Sequence, residues 1–129
     1  MGIVLSVDDD KMVLELVSEA LSADYQLESI DNPIEAIELA QHSEVDVAIL
    51  DISLPQMNGF ELQRVLKKIN PNIQTLFLSS EMNKSNLLTA LRNGACDFLQ
   101  KPVHIDELRN SVAKAIDQVR KLKQIKSAI

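Results

Sequence analysis

VDVAIL at residues 45–50 and IVLSV at residues 3–7 are the two stretches that decide the fold of this chain. Short apolar runs of this kind are typical of strands that are covered on both faces of a parallel sheet. Residues 75–78 and 97–99 predict two more such strands. Residues 25–30 mix charged and apolar side chains, which favours a fifth strand at the edge of the sheet.

Between the strands, apolar residues recur at helical spacing, so each connecting stretch has one apolar face. Five helices are predicted, which include Val17, Ile37, Leu66, Leu88 and Val112. Because strands and helices alternate strictly with short connections, the strands should be parallel, with right-handed crossovers and helices on both faces. The sequence therefore predicts an α/β fold: a flavodoxin-like, doubly wound five-stranded parallel sheet of order 2-1-3-4-5 with five helices.

Composition limits the classes of function. The 129 residues leave room for one compact domain, and 13 basic against 19 acidic residues give a net charge of −6. A chain of this charge repels nucleic acid and anionic membranes, so we expect no direct nucleic acid binding and no membrane contact. With a single cysteine, Cys96, no internal disulfide can form, and residues 1–20 lack the pattern of a signal peptide. The expected location is cytoplasmic.

Acidic side chains follow two neighbouring strands of the predicted sheet. Asp8, Asp9 and Asp10 come directly after the first strand, and Asp51 follows the third. Asp10 stands where the N-cap of the next helix is expected. The other three carboxylates should meet at one edge of the sheet, where they repel one another unless a cation is present. Oxygen-only ligands with open positions suit Mg²⁺.

Two further residues follow strands that end at the same edge. Ser79 follows the fourth strand, and Lys101 follows the fifth. A hydroxyl and an ammonium can hold phosphoryl oxygens while a metal neutralises the remaining charge. A lysine is most often a solvated surface residue, but Lys101 is followed by Pro102, which can hold a tight turn. The residues therefore predict a site for phosphate and a metal.

From residue 3 to about residue 119, the chain resembles the receiver domain of two-component response regulators. The matching motifs are Val7-Asp8-Asp9, DISLPQMNG at residues 51–59, Ser79 and Lys101-Pro102. Asn58 departs from the commonest pattern, in which an Asp precedes the glycine. This position does not touch the metal in the implied site.

The resemblance implies a role for each site residue. Asp51 is the implied phosphoacceptor, and Ser79 and Lys101 contact the phosphoryl group. The implied Mg²⁺ ligands are the carboxylates of Asp8, Asp9 and Asp51 and the backbone carbonyl of Ser53. In the family, the serine hydroxyl moves inward on phosphorylation, and an aromatic side chain of the fifth strand, here Phe98, fills the vacated space. A buried Phe98 is equally expected in the unphosphorylated state.

The implied chemistry is phosphoryl transfer to a carboxylate. Asp51 attacks the phosphorus of a phosphohistidine, carried by a sensor histidine kinase or a histidine phosphotransfer protein, or of a small acyl phosphate. The product is an aspartyl phosphate. The chain would then be a regulatory domain, not an enzyme in the usual sense, because it catalyses only its own phosphorylation and dephosphorylation.

The end of the chain differs from the rest in charge. Residues 118–129 contain four basic residues and no acid, whereas residues 1–117 carry −10. We divide the chain into a receiver domain at 1–119 and a basic helical extension or linker at 120–129. The extension is either a solvated tail, a linker helix to an output domain, or the seam of a weak homodimer through the C-terminal helix.

The dimer alternative depends on the apolar spacing of the last helix. If residues 105–129 form one helix, its final turns project beyond the sheet, and Leu122 and Ile129 are exposed. Two such helices could pair through Val112, Val119, Leu122 and Ile129.

The leading interpretation is a phosphorylation-dependent signalling switch that forms the N-terminal receiver part of a larger regulator. One alternative is a stand-alone single-domain response regulator. A second is an Mg²⁺-dependent aspartyl-phosphate phosphatase, which generally has an acid two residues after the nucleophile, where this chain has Ser53. A third is a receiver-shaped module that no longer accepts phosphate, although every site residue is present.

Overall fold

Strands and helices alternate along the whole of residues 2–128, which are the residues described by the structure, a computed structural model. The strands are β1 (Ile3–Val7), β2 (Leu27–Ile30), β3 (Val45–Asp51), β4 (Gln74–Ser79) and β5 (Asp97–Gln100). The helices are α1 (Lys11–Leu21), α2 (Pro33–His42), α3 (Gly59–Ile69), α4 (Lys84–Arg92) and α5 (Ile105–Ala128).

The five strands form one parallel sheet of order β2-β1-β3-β4-β5, so the predicted fold and strand order are confirmed. Val7 pairs with Leu50, and Asp51 pairs with Leu78, which in turn pairs with Leu99. The carboxyl ends of these four strands therefore lie level at one edge. Every residue of β1 and β3 is buried, whereas β2 is only partly buried, as its polar sequence at the sheet edge predicts.

Helices cover both faces of the sheet. One face packs against α2, α3 and α4 through small and aliphatic residues that include Ala36, Leu66 and Ala90. The other packs against α1 and α5, with Leu21 and Leu108 completely buried. Burying one such leucine contributes roughly 1.5 to 3 kcal/mol. The two layers hold the sheet, and with it the positions of the loops at its edge.

Polar caps begin the helices that follow the site loops. Asp10 accepts a hydrogen bond from the N–H of Met12, which confirms the predicted N-cap of α1. Asn58 caps α3 in a reciprocal arrangement with Glu61, so the departure at Asn58 supplies a helix start. A cap of this type is worth about 1 kcal/mol. Gly94 follows α4 with a φ of 72°, a left-handed conformation that glycine adopts easily at a helix end.

Several sequence expectations about α5 were wrong. The helix is continuous to Ala128, but Leu122 is half-buried instead of exposed, and Ile129 lies outside the described residues. Val112 and Val119 are 0% and 2% exposed because they pack in the domain's own core. They therefore cannot form the seam of a dimer.

Two further observations concern burial and length. Cys96 is a free, half-buried thiol. Within residues 2–128, no helix combines the length and the apolar character that a membrane crossing requires.

Candidate functional site

Three strand ends bring the candidate site residues together. Asp8 directly follows β1, Asp51 ends β3, and Lys101 directly follows β5. One carboxylate oxygen from each of Asp8, Asp9 and Asp51 lies within 4.8 Å of the other two. Asp8 and Asp51 are buried and Asp9 is exposed, so the cluster has two anchored carboxylates and one that faces solvent.

Asp8 is a buried carboxylate with partners on both oxygens. Its side chain is 1% exposed, and Oδ1 accepts a hydrogen bond of 2.9 Å from the N–H of Asp10. Oδ2 lies 2.9 Å from the ammonium of Lys101, but it accepts no well-directed hydrogen bond within residues 2–128. This oxygen therefore keeps capacity for a further cationic partner.

Lys101 bridges the two buried carboxylates. Its Nζ lies 2.9 Å from Asp8 Oδ2 and 3.5 Å from Asp51 Oδ2. Burial lowers the pKa of Lys101, but its interaction with Asp8 and the charge of Asp51 raise the pKa by more, so the net shift is upward. The side chain is therefore a fixed positive charge at the site.

Opposing effects act on the pKa of the Asp51 carboxyl group. Burial raises its pKa, and the charge of Asp8 raises it further, whereas Lys101 and a hydrogen bond of 3.2 Å from the N–H of Ser53 lower it. The net shift is upward. Two carboxylates with one ammonium leave excess negative charge here, and a divalent cation would relieve it.

Gly59 fixes the backbone behind Asp51. A Cβ atom at Gly59 would lie 2.4 Å from the carbonyl oxygen of Asp51, so no larger residue fits without movement. The N–H of Gly59 also donates to the carbonyl of Ile52 at 2.8 Å. The start of α3 therefore packs directly against the backbone of Asp51. The sequence motif contains this glycine, but sequence reasoning did not assign it this contact.

The cluster fits Mg²⁺ in donor chemistry and in size. All candidate donors are oxygens, which Mg²⁺ prefers, and its octahedral ligands at roughly 2.1 Å lie within about 4.2 Å of each other. One oxygen of each of the three carboxylates lies within 4.8 Å of the other two, so a slight inward movement would bring all three to one small cation. Ser53 is exposed and contacts Asp51 through its N–H. The role of its carbonyl as a ligand stays a prediction.

Ser79 lies at the same edge but is engaged locally. It is 5% exposed, and its hydroxyl donates to the carbonyl of Glu81 and accepts from the N–H of Glu81, both at 3.0 Å. The carbonyl of Ser79 accepts from the N–H of Lys101 at 2.8 Å. A hydrogen bond from this hydroxyl to a phosphoryl group thus requires the hydroxyl to release the carbonyl of Glu81 in the turn after β4, to which it now donates. Sequence analysis missed this turn.

Phe98 points into the core on the side of α2 and α3. It is 9% exposed and belongs to the same apolar cluster as Phe77. This is the buried position expected for the unphosphorylated state.

A cavity of about 430 Å³ lies beside Lys101. It is lined by Met82, Gln100, Lys101, Pro102, His104 and Glu107. Five of these residues lie within residues 100–107, at the end of β5 and the start of α5, and Met82 comes from the loop after β4; only Lys101 and Pro102 belong to the sequence motif.

Comparisons with known proteins agree with this geometry. A family model described as "Response regulator receiver domain" matches residues 4–113. Response regulator MprA of Mycobacterium leprae is 32% identical over 106 residues, which cover 81% of this chain and 46% of that protein. Two-component response regulator ARR10 of Arabidopsis thaliana is 30% identical over 129 residues, 98% of this chain and 23% of that protein. The chain thus spans less than half the length of these two relatives.

A solved structure shows the same fold. The response regulator receiver domain protein (CheY-like) from Methanospirillum hungatei JF-1 superimposes with a TM-score of 0.86 at 25% identity, covering 94% of this chain and 98% of that one. The family match includes the whole acidic cluster, Ser79 and Lys101. The chain therefore belongs to the receiver domains of two-component response regulators.

Proposed function

We propose that Asp51 accepts a phosphoryl group from a phosphohistidine, carried by a sensor histidine kinase or a histidine phosphotransfer protein, and relays it as a conformational change. The observation that carries this proposal is the position of Asp51. Its carboxylate is nearly buried, lies 3.5 Å from the ammonium of Lys101, and shares a cluster with two further carboxylates.

In the proposed reaction, an oxygen of Asp51 forms a bond to phosphorus as the bond between phosphorus and the donor's imidazole nitrogen breaks. The electron pair of the broken bond stays on the donor nitrogen. Asp51 must be ionised to attack; burial and the charge of Asp8 raise its pKa, and Lys101 and the N–H of Ser53 oppose this rise. Lys101 then turns from Asp8 toward the new phosphoryl oxygens, which its positive charge stabilises.

The proposed Mg²⁺ ligands are Asp8, Asp9, Asp51 and the backbone carbonyl of Ser53. Mg²⁺ bound there supplies positive charge that offsets the phosphoryl oxygens and the carboxylates. The fit of the three carboxylates to the size of an Mg²⁺ site supports this assignment.

The proposed relay uses Ser79 and Phe98. The hydroxyl of Ser79 would exchange its two contacts with Glu81 for a phosphoryl oxygen, and Phe98 would move into the space that the turn leaves. The local hydrogen bonds of Ser79 and the burial of Phe98 define the starting state. A phosphoryl group can shift this equilibrium only through contacts that differ between the two states, and these two side chains supply them.

We further propose that the natural protein is a larger regulator with this receiver at its N-terminus, comprising residues 1–119 and an extension at 120–129. The lengths of the relatives support a larger regulator over the stand-alone alternative. The proposed role is regulatory, with catalysis confined to the chain's own phosphorylation and dephosphorylation. The phosphatase alternative lacks its general acid because Ser53 occupies that position. The cytoplasmic location stays a prediction.

Intact-mass measurement with a small acyl phosphate tests the acceptor. We expect one added phosphoryl group in the presence of Mg²⁺, none with a chelator, and none in Asp51→Asn. The matched control is Asp10→Asn, which changes a neighbouring acid outside the metal cluster and keeps a good N-cap. Equal labelling of Asp51→Asn and the wild type would move the acceptor to another residue.

A further inference from the structure

A second concave region lies between α3 and the end of α4. This groove has a volume of about 350 Å³ and is lined by Gln63, Arg64, Lys67, Lys68, Arg92 and Asn93. It runs toward the end of α3, where Asn70 donates to the carbonyl of Val45, the first residue of β3, at 2.8 Å. Asp51 is the last residue of that strand, and the groove shares no lining residue with the acidic cluster or with Lys101. The groove is therefore separate from the site described above.

The groove concentrates positive charge in an acidic protein. Residues 62–96 contain five basic residues and one acidic residue, a net charge of +4 in a chain of −6, so the other residues carry −10. Four of those five basic residues line the groove. None of the four forms an ion pair with a carboxylate within residues 2–128. Their charges are thus available to a ligand.

Hydrogen bonds hold the two walls of the groove together. Gln63 is 2% exposed, and its side-chain amide donates to the backbone carbonyl of Asn93 at 2.8 Å. Arg64 reaches the side chain of Asn93 at 3.5 Å, and Lys67 donates to the carbonyl of Ile73 at 3.3 Å. The Gln63 and Arg64 contacts fix α3 to the end of α4, so the helix positions that carry the four cations are held on the two sides of one groove.

Helix-end electrostatics explain only part of this charge. Lys67 and Lys68 lie in the last turn of α3, and Arg92 lies in the last turn of α4, where cations are favourable. Each helix end carries about −0.5 of a charge, so two ends offset about one of the four cations. Arg64 lies a turn earlier, outside this explanation. The groove retains an excess of positive charge.

We propose that this groove binds a small phosphate-bearing anion of about the size of a nucleotide. Its volume falls at the lower end of the range of small-molecule sites, roughly 300 to 1,000 Å³. Arg64 and Arg92 carry the planar donor fork that matches phosphate oxygens. A long polyanion, such as nucleic acid or an acidic chain segment, would extend onto the remaining surface of charge −10 and be repelled there. This contrast favours a compact ligand.

Titration of the full, isotopically labelled chain tests the proposal, with backbone amide shifts as the readout. The probes are ADP, pyrophosphate, a single-stranded oligonucleotide and an acidic peptide, all with a chelator so that no metal binds near Asp51. We expect saturable shifts with ADP at residues 63–68 and 92–94, smaller shifts with pyrophosphate, and weaker binding at higher salt. This result does not depend on phosphorylation of Asp51.

Charge-removing variants provide the control. Arg64→Gln combined with Arg92→Gln should weaken ADP binding about tenfold, since each removes a charge-assisted contact. Lys84→Gln removes the same type of charge from α4 outside the groove and should change binding less than about twofold. Circular dichroism checks that each variant folds. Shifts centred on the loop after Asp51, equal losses in all variants, the absence of saturation, or tighter binding of the oligonucleotide or peptide than of ADP would each overturn the proposal.

Discussion

Lys101 joins two buried carboxylates that would otherwise repel each other. Asp8 and Asp51 are 1% and 6% exposed, and both lie within ion-pair distance of the same ammonium. Removing one partner of such a group leaves charge buried without compensation, which costs more than losing an exposed ion pair. The lysine is therefore as much a structural residue of the resting state as a proposed phosphoryl contact.

We expect Lys101→Ala to lower the free energy of unfolding by about 2 kcal/mol without Mg²⁺. Saturating Mg²⁺ should restore part of this loss, because the cation replaces the missing positive charge. Urea denaturation with and without Mg²⁺ measures both effects. Lys121→Ala is the control, since Lys121 pairs with Asp117 on an exposed helix face, and its loss should stay below about 0.5 kcal/mol. Equal losses in the two variants would contradict the bridging role.

Gly59 offers a test of the acceptor that changes no charge. In Gly59→Ala, the new Cβ atom would press on the carbonyl oxygen of Asp51, and relief of this contact must move the backbone of one of the two residues, Asp51 being the proposed acceptor. We expect a loss of about 1 to 3 kcal/mol in stability and slower labelling by a small acyl phosphate. Gly94→Ala is the contrast, because its Cβ meets nothing within 4 Å and only backbone strain remains. Normal labelling of Gly59→Ala would show that the acceptor tolerates the shift.

The sequence predicted which site residues meet, but not how they bind one another. Asp8 and Asp51 follow neighbouring parallel strands, so their proximity follows from topology alone. The double ion pair of Lys101 and the engagement of Ser79 with Glu81 depend on side-chain rotamers, which no spacing in the sequence encodes. The burial of Phe98 was one of two expected states, and only the structure decides between them.

At the scale of elements, α5 is tied to the opposite end of the sheet from the acidic cluster. Lys123 Nζ lies 3.0 Å from Glu44 and 3.3 Å from Asp46, which is 5% exposed at the start of β3. The hydrogen bond to Glu44 raises the pKa of Lys123, burial lowers it, and the interactions with Asp46 raise it again, for a net upward shift. The beginning of the basic extension is therefore attached to the domain, which a solvated tail would not be.

Lys123→Ala should lower the free energy of unfolding by about 1 kcal/mol at neutral pH. A raised lysine pKa stabilises the fold below the ordinary value of 10.5, and this contribution is lost as pH rises through the folded-state pKa. The difference between wild type and Lys123→Ala should therefore shrink above pH 10.5. Denaturation at neutral pH and above pH 10.5 measures this difference in the free energy of unfolding. Lys126→Ala is an exposed control from the same helix. A difference that persists unchanged at high pH would rule out the ion pairs as its cause.

The length of α5 was predictable from its apolar spacing, whereas its contacts were not. The repeat that suggested a dimer seam continues through Val112 and Val119, and the structure uses those residues for the domain's own core. An apolar helical repeat specifies a buried face, but not whether the partner belongs to the same chain. Self-association through the C-terminal helix stays a prediction, but the seam proposed through Val112 and Val119 is excluded by their burial.

At the scale of the whole molecule, the proposed metal should couple to stability. A ligand that binds only the folded state adds about 1.4 kcal/mol at ten times its dissociation constant. We expect Mg²⁺ to raise the melting temperature by a few degrees and Asp9→Asn, which removes the exposed carboxylate of the proposed site, to abolish most of this gain. Asp10→Asn should retain the rise in melting temperature with Mg²⁺. Thermal unfolding across an Mg²⁺ titration is the measurement, and an unchanged gain in Asp9→Asn would remove Asp9 from the ligand set.

Of the two basic surfaces of this protein, the sequence predicts one and not the other. The basic extension is contiguous, so it was visible as a run of residues. The cationic groove is not, since Arg64 and Arg92 lie on separate helices and only the packing of α3 against the end of α4 brings them to one groove. Groups that are distant in sequence and lack a motif can be found only after folding.

Because α5 continues without a break beyond the ion pairs of Lys123, these ion pairs also fix the rotation of its last turns about the helix axis. Each residue of an α-helix advances by about 100°, so anything joined after Ala128 in an unbroken helix would face a direction fixed by Lys123. Inserting two residues after Lys123 would turn such a segment by about 200°, while inserting seven would return it to within about 20° of its original direction. The ion pairs of Lys123 with Glu44 and Asp46 thus fix the direction in which any helical continuation of α5 would face.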